Sequence, residues 1–238
     1  GFSGGRMQAF EGGMQTLART LAAGLDVWHG CQVTQVTKTA QGVSVTLISD
    51  GASETISADY CVIATDGKDL QQLYGHALTP RQNCFLSALI YMPLKMITFQ
   101  TARRPATDAL IIQVLEASDP DVCIIMLDHQ FCFDRAPAGK GAISFLGMFD
   151  WQMRMADRSD SECIADARAR VRRYLPMLDD SEDAVQITPW PRGALIGPVG
   201  FVRQLAEFVA DIDAGSRVLY AGDYLSQTCV NTAVATGN

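Results

Sequence analysis

The segment Ala221–Asn238, AGDYLSQTCVNTAVATGN, is the most informative part of the 238-residue chain. The apolar run VLY at 218–220 predicts a short strand, which Gly222 and Asp223 end in a tight turn. After a polar loop, residues 230–237 have the pattern of the first turns of a helix. A strand that ends in Gly-Asp before a helix can place backbone N–H groups and one carboxylate beside a phosphate or a sugar hydroxyl. The sequence therefore predicts part of a cofactor-binding domain here.

Three alternating segments near the start of the chain predict a small antiparallel meander. The turn dipeptides Gln41-Gly42 and Asp50-Gly51 separate them, and such dipeptides typically connect neighbouring strands. The third segment is expected to run on into the apolar sequence CVIA at 61–64, which indicates a buried strand end. The three strands are expected near residues 33–38, 43–48 and 54–58.

A helix is predicted over residues 14–25, where apolar side chains recur at helical spacing directly after Gly12 and Gly13. Two glycines at a helix start allow the backbone to approach a ligand closely, or they form a flexible entry turn. The residues alone leave both readings open.

The middle of the chain predicts an α+β domain. Four strand-like segments precede an amphipathic helix at 161–175, with Ser159 or Asp160 as its N-cap. The strand-like segments are 86–100, 109–116, 122–133 and 142–149. The chain is therefore expected to form one domain from residues 1–66, a second from 67–185, and to return to the first with 186–238.

Composition excludes several classes of function. The net charge is −7, and no positive patch suited to nucleic acid is visible. No apolar run reaches the ~18 residues that predict a membrane span. Seven cysteines and three histidines are scattered without metal-ligand spacing, so we expect no metal site and a reducing, cytoplasmic location.

Three separated motifs, in this order and at these spacings, resemble the flavin-dependent superfamily of amine oxidases, protoporphyrinogen oxidases and phytoene desaturases. They are FEGGMQTL at 10–17, YMPLKMITF at 91–99, and YAGD at 220–223 with the segment 230–237. The resemblance implies an α/β plus α+β fold. Part of a Rossmann-like FAD-binding domain would carry an inserted substrate domain built on a mixed or antiparallel sheet.

The resemblance also implies roles for individual residues. The backbone of Val33 would contact the adenine of FAD, and Asp223 would bind the ribityl hydroxyls or the pyrophosphate. The N–H of Val230 would face the pyrimidine edge of the flavin, where a helix N-terminus stabilises negative charge. The residues expected to bind FAD are Gly12, Gly13, Val33, Gly222, Asp223 and Val230.

Lys95 interrupts an apolar strand and is the candidate catalytic residue. In the amine oxidase branch, a lysine in the matching strand holds a water molecule against the flavin. A desolvated lysine has a lowered pKa and can relay a proton during substrate oxidation. The alternative reading is a lysine on an edge strand whose ammonium reaches solvent.

The sequence departs from the family pattern at several places. Amine oxidases flank the substrate amine with aromatic residues, and the matching positions here, at Gly193-Ala194 and Cys229, have none. Trp190 is close in sequence and is either a core residue or a pocket wall. Thr232 stands where the family has glycine. The fingerprint G-x-G-x-x-G is absent, which predicts either that this chain is a fragment of a longer polypeptide or that it is a degenerate relative.

The leading expectation is an FAD-dependent oxidoreductase that removes hydride from a C–H or C–N bond. Its substrate would be a bulky, apolar small molecule, and its electrons would pass to oxygen or another acceptor. One alternative is a flavin amine oxidase that uses Lys95. The other is a non-catalytic binding protein that has lost the cofactor site.

Overall fold

The computed structural model describes residues 10–132, 134–178, 182–226 and 235–236. The chain divides into two compact units. The first unit contains residues 1–26 and 92–193, and the second contains residues 27–91 and 194–238. These breaks differ from the boundaries expected after residues 66 and 185, and the assignment of segments to cofactor and substrate domains stays a prediction.

The second unit contains the predicted meander. Strands β1 (Cys31–Lys38), β2 (Val43–Ser49) and β3 (Ala52–Ala58) form an antiparallel three-stranded sheet in that order. Asp50 and Gly51 form the tight turn between β2 and β3, both with positive φ. Glycine adopts this left-handed conformation without the steric cost that other residues incur.

A separate two-stranded parallel sheet joins β4 (Cys61–Ile63) and β10 (Val218–Tyr220). The expectation that the third meander strand continues through residues 59–60 into this segment was wrong. The ladder of β3 ends at Ala58, and β4 pairs with a strand from the far end of the sequence instead.

Helices cover the core of the second unit. They are α2 (Gly67–Tyr74), α3 (Pro80–Ala88) and α7 (Phe201–Ala210). Helix α3 starts with a capping box, because Thr79 and the side chain of Gln82 satisfy each other's backbone N–H groups, and Pro80 follows the cap. Residues 86–88, expected to begin a strand, therefore belong to a helix. Buried side chains from all three helices meet Ile63 and Val218 in one hydrophobic cluster.

The first unit is built on a five-stranded sheet in the order β6-β7-β8-β5-β9. Its strands are β5 (Ile90–Thr101), β6 (Ile111–Gln113), β7 (Val122–Leu127), β8 (Gly141–Gly147) and β9 (Glu182–Ile196). The pairs β6–β7, β7–β8 and β5–β8 are antiparallel. Pro189 and Pro191 lack the N–H groups that an inner strand must donate, which explains why β9 lies at the edge.

The helices of the first unit are α1 (Gln15–Ala22), α4 (Asp128–Phe131), α5 (Phe149–Met155) and α6 (Asp160–Tyr174). Ser159 caps α6 through a capping box with Glu162, as the sequence predicts. Ile97 and Phe99 of β5 are fully buried in one cluster with Trp151 of α5 and Val171 of α6. Helix α1 buries none of its residues within this chain.

The described ranges thus form a mixed α/β fold with antiparallel sheets. None of the helices in these ranges has the length and apolar character needed to cross a membrane.

Candidate functional site

The ends of β4 and β10 bring two Gly/Asp turns together in the second unit. Both strands run in the same direction, with Tyr220 opposite Ile63, so their carboxyl ends lie at one edge. Asp66 and Gly67 follow β4, while Gly222 and Asp223 follow β10. In open α/β sheets, ligands bind at the carboxyl ends of parallel strands.

The first backbone N–H groups of α2 are occupied by side chains of the protein itself. Asp66 accepts hydrogen bonds from the N–H groups of Lys68 and Asp69, at 2.9 and 3.0 Å. Gly67 donates its N–H to the hydroxyl of Tyr91 at 2.9 Å. This helix start is therefore capped rather than open to a phosphate.

Asp223 lies in an environment that disfavours its charged form. Partial burial raises the pKa of its carboxyl, the negative charge of Asp66 raises it further, and a hydrogen bond from the backbone of Tyr224 opposes both. Within the described ranges no ion pair is formed by Asp223. A carboxylate placed beside another carboxylate repels an anion and accepts hydrogen bonds from neutral hydroxyl groups.

Gly222 is required by close packing at this turn. A Cβ atom there would lie 2.6 Å from the ring of Tyr224 and 2.9 Å from the carbonyl oxygen of Thr65. Its N–H and C=O each lie 3.2 Å from the hydroxyl of Thr236. The turn therefore has no room for a side chain at position 222.

Lys95 lies on β5 in the first unit and is half-buried. Its ammonium donates a hydrogen bond to the carbonyl oxygen of Arg158 at 2.8 Å, and its Nζ lies 3.6 Å from the Sγ of Cys163. Its backbone N–H donates to the side chain of Gln152 at 2.8 Å. These contacts tie β5 to the connection between α5 and α6, and a part for Lys95 in flavin chemistry stays a prediction.

Gly12 and Gly13 form a turn in the first unit, with φ of 77° and 90°. Gly12 donates its N–H to the carboxylate of Asp134 at 2.6 Å. This N–H and a hydrogen bond from the side chain of Cys132, the larger effect, lower the pKa of Asp134. Both glycines adopt the left-handed conformation that glycine permits, and the expected contact of this turn with FAD stays a prediction.

Val33 and Val230 are the two remaining residues that are expected to contact FAD. Val33 lies in β1 opposite Leu47, immediately before an irregularity in the ladder, and its side chain is partly exposed. Val230 lies outside the described residues, as do Cys229 and Thr232. The roles expected for these residues stay predictions.

A cavity of about 330 Å³ in the first unit has both Lys95 and Trp190 in its wall. Trp190 is 56% exposed, so it is a pocket wall rather than a core residue. Pro189 and Pro191 flank it along β9. The lining of the cavity is mainly apolar, so it offers contact surface to an apolar ligand.

A second cavity of about 340 Å³ in the first unit has a more polar wall, which includes Thr98, Arg135 and Lys140. Behind Thr98, the hydroxyl of Ser144 lies 2.7 Å from that of Thr98 and donates to Asp128. Burial raises the pKa of the Asp128 carboxyl. The described residues contain no group of three or more acidic, cysteine or histidine side chains arranged to hold a metal ion.

The sequence profile of the family described as flavin containing amine oxidoreductase matches residues 1–238, the whole chain. The chain belongs to this family. No sequence among the curated proteins matches it. The family assignment agrees with the resemblance carried by the three motifs and supports a flavin as the cofactor.

Solved structures of similar fold include two oxidases and a mutase. A protoporphyrinogen oxidase candidate from Exiguobacterium sp. 255-15 has a TM-score of 0.71 at 16% identity, over 94% of this chain and 49% of its own. Putrescine oxidase bound to putrescine has a TM-score of 0.71 at 17% identity, over 95% of this chain and 51% of its own. Reduced UDP-galactopyranose mutase has a TM-score of 0.63 at 13% identity, over 82% of this chain and 41% of its own. This member of the family thus spans about half the length of the structures it resembles.

Sequence reasoning missed Asp66 as part of the candidate site. Thr65-Asp66-Gly67 follows an apolar strand just as Gly222-Asp223 does, and an aspartate directly before a helix is an N-cap signal. What the sequence lacked was the pairing of β4 with β10, which brings the two aspartates to one edge.

Proposed function

We propose that this chain is part of an FAD-dependent oxidoreductase, and that the edge formed by β4 and β10 is where it binds the cofactor. The observation that carries the proposal is the pairing of two parallel strands, each followed by a turn with glycine and aspartate. Membership of a flavin-dependent family supports FAD as the group bound there.

The residues at this edge fit the sugar part of the cofactor. The Asp223 carboxylate accepts hydrogen bonds, and its neighbour Asp66 makes the edge unfavourable for a second anion. Of the two groups expected at Asp223, the electrostatics therefore favour the ribityl hydroxyls over the pyrophosphate. A hydroxyl donor would replace part of the solvation that Asp223 has lost.

Bound FAD supplies an acceptor for hydride from a C–H or C–N bond. This chain's own part is to hold the cofactor at the strand ends and to enclose a small-molecule substrate. The proposed substrate is apolar, and electrons leave to dioxygen or another acceptor.

Exposed apolar surfaces support the proposal that the chain belongs to a longer polypeptide. Val62 and Leu219, in the parallel pair, are 55% and 42% exposed, and Leu21 of α1 is 62% exposed. Parallel sheets occur almost only with both faces covered. A further part of the enzyme that supplies the missing dinucleotide fingerprint would cover these residues.

The test is flavin retention in the full-length protein. Asp223→Ala should lower the FAD-to-protein absorbance ratio after gel filtration, because the hydroxyl acceptor is lost. Glu54→Ala, which removes an exposed carboxylate on β3 of the same unit, should leave the ratio unchanged. An unchanged flavin content in the Asp223 variant would contradict the assignment, and a purified protein without any flavin spectrum would favour the non-catalytic alternative.

A further inference from the structure

We propose that the cavity beside Trp190 binds a flat, uncharged ring that stacks on the indole. The cavity lies wholly within the first unit and holds about 330 Å³. The inference rests on the proposed function only in identifying this ring as part of the substrate. Ring binding itself is a property of residues in this chain and does not require flavin.

Trp190 offers an aromatic stacking surface on a backbone that two flanking prolines restrain. Proline locks its own backbone φ angle near −65°, and Pro189 and Pro191 stand on both sides of Trp190 in the edge strand β9. The ring is 56% exposed, which leaves apolar surface open to a ligand. Stacking of a flat ring on an aromatic side chain contributes more than its buried area alone.

The polar groups in the cavity wall favour neither a positively nor a negatively charged ligand. The Lys95 ammonium already donates to the carbonyl oxygen of Arg158, at 2.8 Å. The Gln152 amide accepts the N–H of Lys95 at 2.8 Å and donates to backbone carbonyls at 3.4 and 3.5 Å. Asp157 is exposed, so solvent screens the charge of its carboxylate. The interior therefore offers apolar contact, and a ligand gains most when it carries no charge.

The volume limits the size of the ring system. Small-molecule sites typically hold ~300–1,000 Å³, so this cavity lies near the lower limit. It accommodates one or two fused rings. A bulkier apolar substrate would place one of its rings against Trp190 and leave the remainder outside this cavity.

The experiment is a ligand-observed NMR titration with 4-nitrobenzyl alcohol, which is flat and neutral. We expect Trp190→Ala to weaken binding about tenfold, because the substitution removes the face on which the ring stacks. Trp190→Phe keeps a ring and should stay within threefold of the wild-type affinity. Trp28→Ala is the matched control, because Trp28 is similarly exposed, at 52%, in the other unit.

Three further probes test the ligand class. Cyclohexylmethanol has a similar size but no flat face and should bind at least fivefold more weakly. The charged analogues 4-nitrobenzoate and 4-nitrobenzylamine should also bind more weakly than the alcohol. No measurable binding of the alcohol, equal losses in the Trp28 and Trp190 variants, or tighter binding of either ion would overturn the inference. Each result is read without flavin, so it is separate from the failure of the FAD proposal.

Discussion

Replacing Lys95 by methionine separates a structural role of this lysine from a chemical one. Methionine keeps the aliphatic stem and removes the ammonium, which leaves the carbonyl oxygen of Arg158 with only the thiol of Cys163, at 3.8 Å, as a donor. A hydrogen bond from a charged group contributes about 1.5–3 kcal/mol net. Because Lys95 is only half-buried, we expect Lys95→Met to lower the free energy of unfolding by about 1–2 kcal/mol.

Lys140→Met is the matched control in the same unit. The Nζ of Lys140 lies 2.7 Å from the carboxylate of Asp183, but its side chain is 50% exposed. Exposed ion pairs contribute about 0.2–1 kcal/mol, so this variant should change stability less. Urea unfolding followed by tryptophan fluorescence measures both, since Trp151 is fully buried in this unit. A loss in Lys95→Met no larger than in Lys140→Met would refute the reasoning from these contacts.

The same variant tests the amine oxidase reading. If Lys95 relays a proton beside the flavin, anaerobic flavin reduction by an amine substrate should slow sharply in Lys95→Met of the full-length protein. A negligible change in that rate, together with the expected loss of stability, would assign Lys95 a structural role alone.

Further predictions concern packing, charge and pH. Gly222→Ala should lower the free energy of unfolding by about 1–3 kcal/mol, because the new methyl group meets a backbone oxygen at 2.9 Å. In the same thermal unfolding assay, the control Gly215→Ala should stay within ~0.5 kcal/mol of wild type, because a Cβ atom has room there. Arg170→Leu should lower the free energy of unfolding in urea by about 3 kcal/mol, because the Asp119 side chain is 2% exposed and loses an ion-pair partner at 2.6 Å. A loss below 1 kcal/mol would contradict this prediction. The folded-state pKa of Asp223 is raised, so its ionisation destabilises the fold as pH rises through that pKa. Flavin-free Asp223→Asn should therefore melt above wild type at pH 7, with a difference that shrinks as pH falls towards 4, whereas a pH-independent difference would contradict the assignment.

Local signals predicted the elements that depend on neighbouring residues. The meander follows from alternating side chains and two turn dipeptides, and α6 follows from helical spacing and the Ser159 cap. The sequence also carried a start signal for α3 in Thr79-Pro80 with Gln82 three residues after the cap. The apolar residues of α3 do not recur clearly at helical spacing, so the sequence pattern alone predicts a strand over residues 86–88.

The candidate site was only half predictable for a different reason. Gly222 and Asp223 predict a turn from the local sequence, but their neighbour Asp66 comes from a segment far away in the chain. Periodicity gives no information on which strands pair across such a distance. Similarly, the contact of Lys95 with the carbonyl oxygen of Arg158 depends on how helices pack on a sheet, which spacing along one strand does not specify.

The pairing of β4 with β10 also governs when this protein can fold. The paired strands lie roughly 155 residues apart in the sequence, and contacts of such high separation form slowly because a long loop must close first. During synthesis, β4 leaves the ribosome well before its partner, and the backbone N–H and C=O groups on its open edge stay unpaired in the interval. A chain that stops ahead of Val218 never completes this sheet, so the edge of β4 stays open to pairing with another chain until β10 has been made.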